Sequence, residues 1–446
     1  MTKMTAWLLA AMLALAVVPA AAQSVPIAAP TTHVEVEQLP PPTVQNFDVN
    51  KAVNAYLARV GGKARARSDA YFEGGYVLQV VDVIYAVVVA GLLLGLRLSA
   101  AMRNFAQRLT RSRFWQAPVY AILYVVVTTV ATLPLTIYEE FVREHAYGLS
   151  NQTFLQWAGD FGKGFAVSAV FFAVLIALIY AAMRGAKRAW WLWGTGIAVA
   201  LVIVTAAIGP VYIAPLFNHY TSLPDSTLKS TILSEARANG IPAKDVYVYD
   251  ASRQSNRITA NVSGMLGTTR ISLSDNLLND GTPSEVIAIV GHEMGHYVMD
   301  HVAIGITWTG LLLLLGFGIA DRVFRGLVGL FGGNWDVRSI DDPAGLPLLM
   351  ALFTVLSLLA TPITNTLTRT QEAQADIFGL NAVRQPDAFA TAVLKLSTYR
   401  KLDPSPWEEF VFYDHPSGRT RIMEAMRWKA EHLNDPDIEA GPISPQ

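Results

Sequence analysis

The chain contains no cysteine in 446 residues. That excludes disulfides, thiolate metal ligands and a thiol nucleophile, and it leaves the compartment open. Charge is scarce as well: Asp, Glu, Lys and Arg make up 15%, against about 25% in an ordinary soluble domain. The 34 basic and 35 acidic side chains nearly cancel, for a net charge of −1. No basic stripe offers a footprint for nucleic acid, so nucleic acid is not expected as a partner. No internal repeat is visible, and histidine is rare, with 8 in all.

The rest is apolar. Hydrophobic residues reach 52% and the mean hydropathy is +0.34, so lipid is expected to solvate much of the chain. Six stretches, 76–96, 118–138, 165–183, 190–213, 302–320 and 344–364, approach the roughly 20 residues that a bilayer core requires and predict six spans. Asp82 is the one charge inside them. An intramembrane carboxylate either faces the bundle, hydrogen-bonded, or marks a function.

Ahead of the spans, Lys3, the apolar run Met4 to Val18, Pro19 and the small residues Ala20 to Ala22 follow the order of a signal peptide. The expected organisation is therefore a signal peptide (1–22), an exported segment (23–75), a four-span bundle (76–217), a polar block (218–301), two further spans (302–364) and a C-terminal polar segment (365–446). Arg97, Arg103, Arg108, Arg111 and Arg113 fill the first inter-span loop, and Arg184, Lys187, Arg188, Arg322, Arg325 and Arg338 fill the third and fifth. The positive-inside rule then puts these loops in the cytoplasm of an inner-membrane protein and the polar blocks on the exported side. Lys51, Arg59, Lys63, Arg65 and Arg67 count against that orientation.

The strongest chemical signal is Gly291-His292-Glu293-Met294-Gly295-His296. Histidines at i and i+4 of a helix share a face and reach one Zn²⁺, with Glu293 placed to act on a water. Thr282-Pro283-Ser284-Glu285 supplies a capping box that starts such a helix. A third ligand is required. Asn365, Arg369, Glu372 and Asp376 fall on one helical face; Glu372 is the ligand candidate, Asp376 the acceptor for a ligand's second ring N–H, and Arg369 a partner for either carboxylate and a candidate substrate-binding residue. His301 begins the next span, off the ligand face, and reads as interfacial. His415, before Pro416, is a candidate donor to a developing oxyanion. Within 218–301, Ser226 to Asn239 reads as a helix, Val246 to Tyr249 and Arg270 to Leu273 as strands, and Ile258 to Gly264 as extended. An edge around Thr259 to Ser263, with Thr259 and Asn261, is a candidate for pairing with a substrate strand.

These residues resemble the integral-membrane zinc metalloendopeptidases of the CAAX prenyl protease type. Ile213-Ala214-Pro215-Leu216-Phe217-Asn218, Ile271 to Leu278, Gly291 to His301, the Asn-x-x-x-Arg-x-x-Glu-x-x-Ala-Asp pattern from Asn365 to Asp376, and His415-Pro416 carry the likeness. It implies a mainly α, polytopic membrane protein with a zincin-like (gluzincin) α+β domain. It also implies one Zn²⁺ on His292, His296 and Glu372, Glu293 as general base, and a chamber walled by membrane helices. His415 and Arg421 would line the substrate side. Its members cut prenylated C-terminal peptides or act in membrane-protein quality control, so a lipidated or membrane-embedded peptide and membrane lipid are the expected partners. The sequence departs from the family at Thr259-Ala260-Asn261, where prenyl proteases usually read Asn-Ala-Tyr. Two alternatives are a quality-control protease and a non-catalytic transporter or scaffold with a relic zinc site; Glu293 argues against the second.

Overall fold

The computed structural model describes residues 47–264, 269–396 and 399–439; the expected signal peptide lies outside the described residues. Helix α1 (Val49–Ala58) is capped by the Asp48 carboxylate, which accepts the Lys51 N–H at 3.1 Å. It is followed by α2 (Gly62–Gly95), α3 (Leu98–Leu109), α4 (Arg113–Ile137), α5 (Phe154–Gly185) and α6 (Trp190–Ile208).

A four-stranded sheet and its helices come next: β1 (Tyr220–Ser222), α7 (Thr227–Ala238), β2 (Val246–Tyr249), β3 (Ala260–Ser263), β4 (Arg270–Ser274), α8 (Asp275–Asp280) and α9 (Pro283–Val298). The chain then forms α10 (His301–Trp335), α11 (Leu346–Val383), α12 (Pro386–Leu396), α13 (Pro406–Phe412), α14 (Gly418–Glu431) and α15 (Pro436–Glu439).

Among the described residues, six helices are long and apolar enough to cross a membrane: α2, α4 prolonged to Ala146, α5, α6 prolonged to Leu216, α10, and α11 from Pro343. Each contains most of one predicted stretch and overruns it. Helices suit lipid because every backbone group is satisfied within the segment. Outward-facing Val88, Leu92, Val130, Leu178, Leu311 and Leu359 are exposed, while Tyr120, Tyr124, Phe172, Tyr180, Trp190, Phe317 and Phe353 fill the interior. Asp82 is half-buried on α2. The Thr128, Thr132 and Thr136 hydroxyls of α4 donate to carbonyls one turn back. After Pro134, which offers no N–H, α4 widens into a π-helical turn at Tyr138–Arg143.

The three arginine-bearing inter-span connections, 96–112, 186–189 and 336–342, meet at one end. Arg103 is 1% exposed, and its guanidinium sits 2.7 Å from both Asp336 and Asp342. Arg97 donates to Asn334 O and Arg325 to Lys187 O. The sheet and the C-terminal helices lie at the opposite end, where Arg67 donates to Ala146 O and Lys163 to Leu216 O.

In the sheet, the order is β1-β2-β4-β3; β2 and β4 are parallel, the other pairs antiparallel, and β3 is an edge. Ile271, Leu273, Val286, Val290 and Met294 form its core. The Thr282–Glu285 capping box closes the start of α9 as the sequence predicts. Residues 365–376 continue the last span without interruption, because α11 is a single helix of 38 residues. Pro362 removes one hydrogen bond without breaking it, as spanning helices tolerate.

Candidate active site and metal centre

Helices α9 and α11 cross closely enough to bring three donors together. A Cβ on Gly295 would stand 3.0 Å from Ala375 Cα, and one on Gly291 2.9 Å from a Val383 methyl. At that crossing His292, His296 and Glu372 are all buried, and one ligand atom from each lies within 4.8 Å of the others. His292 Nε2 is 3.2 Å from Glu372 Oε2 and 3.1 Å from His296 Nε2; His296 Nε2 is 3.5 Å from Glu372 Oε1.

The outward nitrogens are engaged elsewhere. His292 Nδ1 lies 2.7 Å from Asp376 Oδ1, the contact that the spacing anticipates. Asp376 is fully buried and accepts Arg421 Nε–H at 2.7 Å. His296 Nδ1 lies 2.9 Å from His301 Nδ1. With hydrogens on both Nδ1 atoms, two Nε2 lone pairs and a carboxylate face one point, an arrangement that needs a cation. Glu372 Oε2 is buried and has no well-formed hydrogen bond among the described residues. Burial works to lower the His292 pKa, but Asp376 and then Glu372 overcome it and raise the value to about 10. The site therefore attracts positive charge, and its two-nitrogen, one-oxygen donor set fits a catalytic metal.

Glu293, one residue on from His292, is half-buried. Desolvation raises its pKa, with His292 and His296 opposing. His415 reaches the same place from the loop before α14: Nε2 is 3.2 Å from Glu372 Oε2 and Nδ1 2.9 Å from Asp414 Oδ1. Burial works to raise the Asp414 pKa, but His415 and Arg400 hold it well below the usual carboxylate range. Thr259 precedes β3; its N–H donates to Ser274 Oγ at 2.9 Å, and its hydroxyl pairs with Tyr249 OH. Ala260 and Val262 pack on the sheet's core, so Asn261 points to the other face, where its Oδ1 accepts from Ser263 Oγ at 3.0 Å.

Three expectations need correction. Arg369 pairs with neither Glu372 nor Asp376 and stands apart from the cluster. Its guanidinium caps carbonyls at the end of α13, Glu409 O at 2.7 Å and Tyr413 O, and contacts Thr366 Oγ1 at 2.8 Å. Arg421, expected on the substrate side, is buried and takes the Asp376 partnership. His301 is not interfacial: it is fully buried against His296, with ring centroids 5.1 Å apart. A third histidine five residues after His296 was the signal available.

The comparisons with known proteins agree with this geometry. Residues 222–429 match peptidase family M48, and residues 52–219 match the CAAX prenyl protease N-terminal region, described as five membrane helices. The uncharacterized metalloprotease YhfN of Bacillus subtilis is 32% identical over 329 residues, covering 73% of this chain and 77% of that protein. A CAAX prenyl protease 1 homolog of Oryza sativa is 30% identical over 295 residues, 64% of this chain and 68% of that one. In fold alone, the crystal structure of S. mikatae Ste24p superposes with a TM-score of 0.70 at 22% identity, covering 88% of this chain and 92% of that chain. The reading as a non-catalytic transporter or scaffold is not favoured by these findings. This multi-pass membrane protein is a metalloendopeptidase that belongs to peptidase family M48, with the proteases of the CAAX prenyl type.

Proposed function

We propose that the protein is a zinc endopeptidase that holds its metal with His292, His296 and Glu372 and takes its peptide substrate as an added strand on β3. The observation that carries this reading is the convergence of two imidazole Nε2 atoms and one carboxylate on one point, with both Nδ1 atoms already hydrogen-bonded. When bound, zinc supplies Lewis acidity that polarises a carbonyl and acidifies a water.

Glu293 takes the proton of the attacking water and delivers it to the leaving amine; its raised pKa suits it to hold that proton between the two steps. His415 presents Nε2 to the same opening and hydrogen-bonds the substrate oxygen as negative charge develops. Asp376 fixes the His292 ring, and Arg421 fixes Asp376. Along β3 the Thr259 hydroxyl is already engaged with Tyr249. The strand therefore binds substrate through its backbone, and Asn261 borders the bound chain. Removing the metal with a chelator abolishes cleavage of an unstructured peptide, and added zinc restores it. Full activity of metal-free protein would overturn the assignment.

For the substrate, the reading is a membrane-associated peptide carrying a prenylated C-terminus. The Thr259-Ala260-Asn261 departure favours a second reading, removal of damaged membrane proteins. Comparing cleavage of a farnesylated CAAX peptide with that of an unmodified unfolded segment separates them. The arginine-rich short connections support a site on the exported face of the inner membrane. The cysteine-free chain allows a direct check, since a thiol at the exposed Asp225→Cys position reacts only from outside in that orientation.

A further inference from the structure

His301, the first residue of α10, is fully buried yet contributes nothing to the three-residue donor cluster. Its Nδ1 is 2.9 Å from His296 Nδ1, and its Nε2 is 3.2 Å from Gln374 Oε1. An amide oxygen only accepts, so the hydrogen on that contact belongs to His301 Nε2. Nδ1 of His301 is then left as a lone pair, and the hydrogen between the two Nδ1 atoms belongs to His296. This leaves His296 Nε2 as a lone pair aimed at Glu372.

The two histidines of the cluster are thus backed differently: His292 by the carboxylate of Asp376, His296 by an imidazole and then an amide. Gln371, one turn before Gln374, also reaches His301, with Nε2 3.5 Å from its carbonyl oxygen. The start of one spanning helix is pinned to the other at this point.

We propose that His301 and Gln374 form a positioning relay that fixes the tautomer and ring angle of His296 and sets how strongly that residue binds the metal. The proposal rests on the reading that His292, His296 and Glu372 hold zinc. Backing by an uncharged chain makes His296 the weaker donor of the two histidines, since a carboxylate at the far nitrogen raises ligand basicity. A histidine that merely filled space would be replaceable by any side chain of similar volume. A relay depends on the acceptor at Nδ1 and on the polarity at residue 374.

The test is zinc affinity of the purified full-length protein, measured by competition with a chelating dye. His301→Leu is expected to weaken zinc binding roughly 10–100-fold. His301→Asn places an oxygen where Nδ1 stood and recovers most of that loss. The exposed Gln374 gives a second route that does not disturb packing. Gln374→Leu weakens zinc binding, whereas Gln374→Glu, which places a carboxylate behind the relay, strengthens it. Wild-type affinity in His301→Leu, or equal effects of Leu and Glu at 374, would overturn the relay while leaving the ligand assignment intact. Failure of the wild-type protein to take up zinc would overturn the ligand assignment, and the relay with it.

Discussion

Gly379 of α11 lies against the backbone of His292: a Cβ at residue 379 would stand 2.8 Å from the His292 amide nitrogen and 3.1 Å from its Cα. Both atoms are backbone within a helix, so neither can yield without moving α9. The closeness of this crossing is what lets Glu372, on one helix, reach two histidines on the other.

Gly379→Ala is therefore expected to displace α9 relative to α11, at an overpacking cost of about 1–3 kcal/mol. Zinc affinity falls with it, because metal ligation demands geometry that the separated helices no longer provide. Thermal unfolding in detergent and chelator competition measure the two effects. Wild-type values in both would show that the contact is dispensable.

Asp376→Asn removes the charge that pairs with buried Arg421 and backs His292. Breaking a buried pair from one side costs roughly 3–5 kcal/mol, and loss of a carboxylate behind a ligand histidine costs about 10–100-fold in metal affinity. Both losses are expected together, seen as a lowered Tm and a weaker zinc Kd. A change in only one would separate the structural role of Asp376 from its role at the metal.

Burial raises the Glu293 pKa above its ordinary value of 4.5, although His292 and His296 pull the other way. As the proposed general base, Glu293 must be ionised, so activity is expected above this raised pKa and is lost as pH falls through it. The acid limb of kcat/KM is accordingly expected above pH 4.5. A profile that stays flat down to ordinary carboxylate titration would contradict the role given to Glu293.

Strand β3 ends the sheet, so one of its edges has no strand partner among the described residues. Thr259 O accepts Ser274 N–H from β4, and alternation along the ladder then turns the N–H groups of Ala260 and Val262 to the free edge. A peptide substrate N-methylated at amides that would pair with this edge is expected to bind more weakly. At about 0.5–1.5 kcal/mol for each lost hydrogen bond, the rise in KM is roughly two- to tenfold per bond. Methylation without effect would argue against strand addition.

The spans and the paired histidines were legible because each is a local pattern: apolar runs of bilayer length, and an i, i+4 spacing behind a capping box. Glu372 and Asp376 were legible for the same reason, lying one turn apart on a single helix. What crosses between elements was not. Arg369 has the right spacing to pair with Glu372, yet the free carbonyls at the end of α13 capture it, while Arg421 arrives on α14 to hold Asp376. His301 sat off the ligand face of its own segment, and only the fold shows that a sharp turn at Asp300, with φ of 52°, brings it back against His296. Gly379 has no side chain to attract notice; its role is the space it leaves.

The most direct measurement of the proteolytic mechanism is the cleavage rate and zinc content of purified Glu293→Gln protein, followed by mass spectrometry on one peptide. The variant keeps the ligand set, so it should retain zinc at wild-type affinity while turnover falls roughly 10²–10⁴-fold, the usual contribution of a general base. Wild-type cleavage by zinc-loaded Glu293→Gln protein would contradict the account.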